Sequence, residues 1–175
     1  MTAASKNEGN ASSGPDEVDA LVAAWKRERP DLEIGPMEVL SRVTRLALHL
    51  DRARRRAFAE HELETGEFDV LTALRRAGPP YTLSPGSLLR ETMVTSGTMT
   101  HRVDRLLTKG LVERLLDPDD RRGVLVRLTD TGKRRVDAAL DNLLAQEKLL
   151  LSRLSKAERT RLASLLKTIV APLDQ

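Results

Sequence analysis

Ser96, Thr98, Thr100, His101 and Arg105 lie close together in the chain, interleaved with the apolar Met99, Val103, Leu106 and Leu107. At helical spacing the apolar set faces a core, which turns the hydroxyls, the imidazole and the guanidinium outward. Such a face suits phosphate oxygens and base edges in a major groove, and Arg105 is long enough for either a phosphate or a guanine edge. Downstream, Arg121 and Arg122 sit in Asp117-Pro-Asp-Asp-Arg-Arg-Gly, a charged turn between two β-prone runs. Arginines at the tip of a ribbon can enter a minor groove. A charged solvent turn is the plain alternative there, and the helix upstream makes DNA contact the stronger reading. Which arginine enters the groove, and whether the other is held by Asp119 or Asp120, stays open.

These residues need a rigid mount. Ser84 caps a short helix with Pro85 at its first position, where a missing N–H costs nothing. Leu88 and Leu89 face inward, and Thr95-Ser96-Gly97 breaks the helix and offers a second cap. Gly110 ends the second helix in the left-handed conformation. Leu111-Val-Glu-Arg-Leu-Leu and Val124-Leu-Val-Arg-Leu then form a hairpin, which Tyr81-Thr-Leu can complete as a third short strand. Two short helices followed by a hairpin make a winged helix-turn-helix.

Composition narrows the function classes. The chain has 175 residues and no cysteine, so disulfides and thiolate metal sites are excluded and a reducing compartment is compatible. No apolar run is long enough to span a bilayer and the start carries no signal-like segment, so the expected location is the cytoplasm. Net charge is +3, but Ser84 to Arg135 holds eleven Arg and Lys against seven Asp and Glu. A local excess of four attracts phosphates and makes binding salt-dependent, although many solvated surfaces share that composition. An enzyme is disfavoured: there is no glycine-rich phosphate loop, no His-Glu-x-x-His motif and no evident nucleophile–base pair. His49 and His61 lack partners at metal-ligand spacing, so neither metal nor cofactor is expected.

Along the chain, residues 1–15 read as a disordered tail. Residues 16–65 hold an added N-terminal helix, Asp16 to Glu28, and a support helix from Met37 to about Glu60. The stripe Leu40, Val43, Leu46, Ala47 and Leu50, continued by Ala53, Ala57 and Phe58, is expected to be buried. Arg29 to Pro36 breaks helix between them. Residues 66–131 form the winged domain, opened by a helix over Glu67 to Ala77. Residues 132–175 carry two leucine-rich helices, Lys133 to Leu151 and Ser155 to Val170, the second opened by a Ser155–Glu158 capping box. This exceeds what one reader domain needs and points to a homodimer. The fold is mainly α with a small β wing, flanked by N- and C-terminal dimerisation helices. A two-fold dimer would present its recognition helices to successive major grooves of a palindromic double-stranded operator.

Two further residues stand out. Trp25, the single tryptophan, first reads as an anchor for its helix. Asp69, among Phe68, Val70 and Leu71, is either a solvated boundary residue or one that faces a polar partner or pocket.

Ser96-Gly-Thr-Met-Thr-His-Arg-Val-Asp-Arg-Leu, Lys109-Gly-Leu-Val-Glu-Arg and Asp117-Pro-Asp-Asp-Arg-Arg-Gly, leading to Leu128-Thr-Asp-Thr-Gly, resemble the MarR family of transcriptional regulators over about Met37 to Ala171. A narrower resemblance is to that family's urate-responsive, PecS-like branch, which carries an added tryptophan-bearing N-terminal helix. The resemblance implies a ligand site of Trp25, Asp69, Arg102 and Arg114 for a small anion such as urate. A flat anion rich in acceptors suits an aromatic ring and guanidinium groups. Asp69, Arg102 and Arg114 fit a structural ion-pair network as well. The expected function is a homodimeric repressor released from its operator by urate or a related anion. The alternatives are a response to another aromatic or carboxylate metabolite, constitutive DNA binding, or a winged-helix adaptor for protein association.

Overall fold

A computed structural model of the chain describes residues 14–92, 94–118 and 123–173. Residues 1–13 of the expected tail and the wing arginines Arg121 and Arg122 lie outside the described residues. The chain divides into two compact units, Met1–His49 and Leu50–Gln175.

The first unit contains helix α1 (Glu17–Glu28) and the opening half of α2 (Gly35–Ala59). Asp16 caps α1: its Oδ1 accepts the backbone N–H groups of Val18 and Asp19, and Asp19 accepts the N–H of Asp16 in return. This satisfies donors that a helix start leaves without partners. Arg42 of α2 pairs with both Asp16 and Asp19, Arg45 with Glu17, and Lys26 with Glu38. Helix α2 begins two residues earlier than expected, because Pro36 is tolerated in a first turn, where its missing N–H has no intrahelical role. The stripe expected to be buried on α2 is a second correction. Leu40, Val43 and Leu46 are 55%, 39% and 42% exposed, since α1 covers only part of the circumference of α2. The continuation of that stripe behaves as expected in the second unit, where Ala57 and Phe58 are buried.

The second unit is built on Phe58 and on α3 (Thr65–Arg76), whose Phe68 stacks on Phe58 with ring centroids 4.0 Å apart. Helix α4 (Pro85–Thr92) starts where Ser84 Oγ accepts the N–H of Ser87. Helix α5 (Ser96–Thr108) starts at Thr95, whose hydroxyl accepts the N–H of Thr98. It stops at Gly110, which has φ +66°, a conformation in which a Cβ would be strained. Val70, Leu71 and Leu74 of α3, Leu88 of α4, and Met99, Val103 and Leu106 of α5 close one core.

Strands β1 (Thr82–Leu83), β2 (Val112–Leu116) and β3 (Val124–Leu128) form an antiparallel sheet in the order β1-β3-β2. Thr82 lies opposite Arg127, and Val112 opposite Leu128. Register places Val112, Val126 and Leu128 on the core, so the wing is fastened at its base. The helix-turn-helix with its wing is therefore as expected.

Helix α6 (Asp130–Leu150) leaves the sheet at Thr129, whose side chain caps the helix and also donates to the carbonyl of Gly110. Val136, Ala139 and Leu143 bury one side of its first half. Leu144, Leu149 and Leu150 farther along, and Leu165, Ile169 and Val170 on α7 (Lys156–Val170), are exposed, and α7 buries no residue.

Gly132, in the first turn of α6, lies against the backbone of β2's approach: a Cβ there would collide with the carbonyl oxygen of Leu111. That carbonyl also accepts the N–H of Thr129, so it is not free to move. Gly132→Ala is expected to cost about 1–3 kcal/mol through overpacking. The check is urea denaturation, where an unshifted midpoint would show that the contact is relaxed without penalty.

Candidate functional site

Helix α5 carries two sets of polar side chains. Ser96, Thr98, Thr100 and His101 are exposed together along its first two turns. The Thr98 hydroxyl is 3.0 Å from that of Thr95, and Thr100 Oγ donates to the carbonyl of Ser96, so both hydroxyls are oriented while they remain accessible. Side chains of this kind at a helix start, beside unpaired N–H groups, can hold phosphate oxygens.

The same helix carries Arg102, Arg105 and Lys109, at helical spacings of three and four, in a row toward the start of α3, with Thr98 and His101 one turn before Arg102 and Arg105. Glu67 receives them. It is a charged residue only 1% exposed, and its Oε2 accepts from Lys109 Nζ at 2.7 Å and from the backbone N–H of Glu64 at 2.8 Å. Its Oε1 lies 3.2 Å from Arg105 Nε, an ion pair without good hydrogen-bond alignment. Arg105 also grips Glu64 with both terminal nitrogens, at 2.7 and 2.6 Å. That pairing holds the Glu64 carboxyl below its ordinary pKa. Lys109 further donates to the carbonyl of Glu62, whose carboxylate pairs with Arg135 of α6 at 2.7 Å.

Arg105 therefore differs from the side chain free to reach DNA that its type and position suggest, because two carboxylates of α3's start occupy its guanidinium. Neither Glu64 nor Glu67 stood out from the sequence. The available signals were the Glu64-x-x-Glu67 pattern of a helix start and the unpartnered cationic stripe at 102, 105 and 109.

Arg102 lies in the same seam. Its guanidinium rests on Gly66, where a Cβ would overlap it, and its Nη1 is 3.7 Å from Asp69 Oδ2. At that distance the contact is ionic rather than a hydrogen bond. Burial raises the pKa of Asp69, opposed by the positive charges of Arg102, Arg54 and Arg76. The charged carboxylate thus costs stability at neutral pH, a cost that disappears as pH falls through the raised value. Of the four expected ligand residues, the structure brings Asp69 and Arg102 together. Arg114 is engaged elsewhere, with Asp104 at 2.7 Å, and Trp25 is a half-exposed residue of α1 in the first unit.

Two hollows adjoin α3 and α5. One of about 530 Å³ is open to solvent and lined by Asp51, Arg55, Ala59, Leu63, Glu64, Thr65 and Gly66. A cleft of about 90 Å³ runs between α5 and the wing, past Ser96, Thr100 and Arg114. No group of three or more His, Asp or Glu among the described residues is arranged to hold a metal, and no helix among them is long and apolar enough to cross a membrane.

Residues 61–123 match a family model described as MarR family. The transcriptional regulator PecS of Dickeya dadantii is 38% identical over 150 residues, which cover 86% of this chain and 90% of that protein. A mutant MarR of E. coli, solved in complex with operator DNA, superposes with a TM-score of 0.64 at 27% identity, over 83% of this chain and 97% of that one. BpsR of Bordetella bronchiseptica, solved in a study of how 6-hydroxynicotinic acid regulates its DNA binding, gives 0.63 at 26% identity, over 75% and 91%.

Glu67→Gln leaves Arg105 and Lys109 facing a neutral, buried amide. The expected loss is about 3 kcal/mol of stability, as for other buried pairs broken from one side, together with weaker DNA binding from a loosened α5. An unchanged urea midpoint would show that the carboxylate does not hold the helix.

Proposed function

The chain belongs to the MarR family of transcriptional regulators and reads DNA through a winged helix-turn-helix, and from that premise we propose a homodimeric repressor that an anionic ligand releases from a palindromic operator. Urate or a closely related small anion is the proposed effector. The observation that carries this reading is that one helix, α5, holds both the exposed Ser96, Thr98, Thr100 and His101 and the Arg102 that lies against Asp69. A ligand that engages Arg102 acts directly on the helix that reads DNA.

Ser96, Thr98, Thr100 and His101 contact the major groove in this proposal, and Arg121 and Arg122 act from the wing. Arg105 joins them only by exchanging Glu64 for a phosphate, which gives the protein a latent contact rather than a standing one. Trp25, Asp69, Arg102 and Arg114 form the ligand set. The exposed leucines of α6 and α7 support the dimer, because apolar side chains at helical spacing gain by covering one another. Residues 66–131 serve as the reader, and residues 16–65 and 132–175 as the dimerisation arms. Release requires the ligand to prefer the dimer that cannot grip DNA, since equal affinity for both forms would shift nothing.

The 6-hydroxynicotinic acid response of BpsR favours a second reading, in which another aromatic acid fills the same role. Chemistry on the ligand is not part of either proposal, since the site offers guanidinium and carboxylate groups without an activated nucleophile.

The test is a titration of the full chain onto duplex DNA from its own neighbouring intergenic region, at fixed salt, with and without urate. Saturable, site-specific binding weakened by urate is the expected result, and Arg102→Ala is expected to blunt the weakening. A specific complex indifferent to urate would remove it as effector. A full response from the Arg102 variant at unchanged urate concentration would remove the coupling through α5.

A further inference from the structure

Arg54 has no role in any site described so far, and its surroundings are unusual. It lies in the second half of α2, in the same unit as α3 and α5. Its Nε is buried without a hydrogen-bond partner, and among the described residues Arg54 forms no ion pair within bonding distance. Arg102 on α5 shares this condition, since its Nη1 is also buried and lacks a hydrogen bond. Both guanidinium groups act on one carboxylate, that of Asp69. Arg76, the third cation near Asp69, is already paired with Glu91 at 3.0 Å.

Each guanidinium has one buried nitrogen without an acceptor, and with one carboxylate beside them the two leave a local charge of +1 in a place partly shielded from water. A buried N–H without an acceptor is costly, and a charged one more so. Asp69 does not relieve the shortage, because its 3.7 Å approach to Arg102 is too long for a hydrogen bond. An anion with more than one acceptor atom would satisfy both nitrogens.

Resting on the ligand reading above, we infer that Arg54 is a second anion-binding arginine of that site, and that the effector's charged acceptors bridge Arg54 on α2 to Arg102 on α5. The ligand class that fits is a small planar monoanion with adjacent oxygen or nitrogen acceptors, which guanidinium groups bind through paired N–H donors. Asp69 keeps the two cations apart from direct repulsion when no ligand is bound. It also sets specificity, favouring a ligand that offers an N–H or O–H beside its anionic edge, because a bare anion would meet the carboxylate's charge.

The bridge supplies the differential contact that regulation requires. Arg54 belongs to the supporting helix and Arg102 to the reading helix. One anion held by both ties α5 to α2 in a single arrangement, and the arrangement with the anion bound differs from that in which α5 is held by α3 alone through Glu64, Glu67 and Asp69.

The experiment measures anion binding to the dialysed full chain by calorimetry, with urate, salicylate and 6-hydroxynicotinate as probes. It compares the unchanged protein with Arg54→Gln, Arg54→Lys and, as a control for lost charge alone, Arg52→Gln on the exposed side of the same helix. Arg54→Gln is expected to weaken the best probe by at least about tenfold, the loss of a charged hydrogen bond, while Arg52→Gln shifts it less than about twofold, the size of a remote exposed charge effect. Arg54→Lys, which keeps the charge and tests the guanidinium's paired donors, is expected to recover only part of the affinity and serves if the Gln variant does not fold. Equal shifts from Arg54→Gln and Arg52→Gln, or full affinity in both Arg54 variants, would overturn the role of Arg54 and leave the ligand site itself standing. If none of the probes binds the unchanged protein, the anion-responsive reading fails and this inference fails with it.

Discussion

The seam between the start of α3 and the inner side of α5 depends on one carboxylate. Glu67 sits almost entirely out of water, and burying its charge is affordable only because a lysine, an arginine and a backbone N–H surround it. The same carboxylate satisfies a donor at the helix start and fixes the far end of the reading helix. Apolar packing by Met99, Val103 and Leu106 could tolerate small rolls of α5, whereas hydrogen-bonded charges tolerate few. In the proposed function, the angle at which Ser96, Thr98, Thr100 and His101 meet DNA is thus set by ion pairs along the same helix.

In the proposed function this arrangement links reading to sensing without a long relay. Arg102, Arg105 and Lys109 line the seam in order: Arg102 meets Asp69 and Gly66, Arg105 meets Glu64 and Glu67, and Lys109 meets Glu67 as well. The Arg102 contact is the longest of the three, at 3.7 Å and without a hydrogen bond, and it is where the proposed ligand acts. The ion pairs are closer at the Arg105–Lys109 end of α5 than at Arg102. Lys109 extends that clasp to Glu62 and, through Glu62, to Arg135 of α6.

Glycine takes part where side chains or backbones must come close. At Gly66 the absent Cβ lets the Arg102 guanidinium lie on the helix start, and at Gly132 it lets α6 pass against the carbonyl of Leu111. The first contact shapes the proposed ligand site and the second fastens the wing's base to the helix that leaves it. Both fall inside helices, where a glycine otherwise lowers stability.

The sequence by itself determined the elements. Local chemistry sufficed for the caps at Ser84, Thr95 and Ser155, the stop at Gly110, the strands of the wing and the exposed set on α5, because each depends on residues a few positions apart, whereas α6 starts at Asp130, three residues before the expected Lys133. Periodicity also found the apolar stripes of α2 and α7, but it reports a side, not what lies over it, so the leucines expected to be buried on α2 emerged exposed. Only the tertiary structure decided the partners of the charges. Arg105 and Glu64 are 41 residues apart and Lys109 and Glu67 are 42 apart, and nothing local distinguishes them from solvated surface groups. Packing α3 against α5 turned Arg105 toward Glu64 and Glu67, while Arg114 of β2 found Asp104, and one nitrogen each of Arg54 and Arg102 was buried without an acceptor. Charge pairing over such separations follows from how the helices pack, which spacing along a chain does not encode.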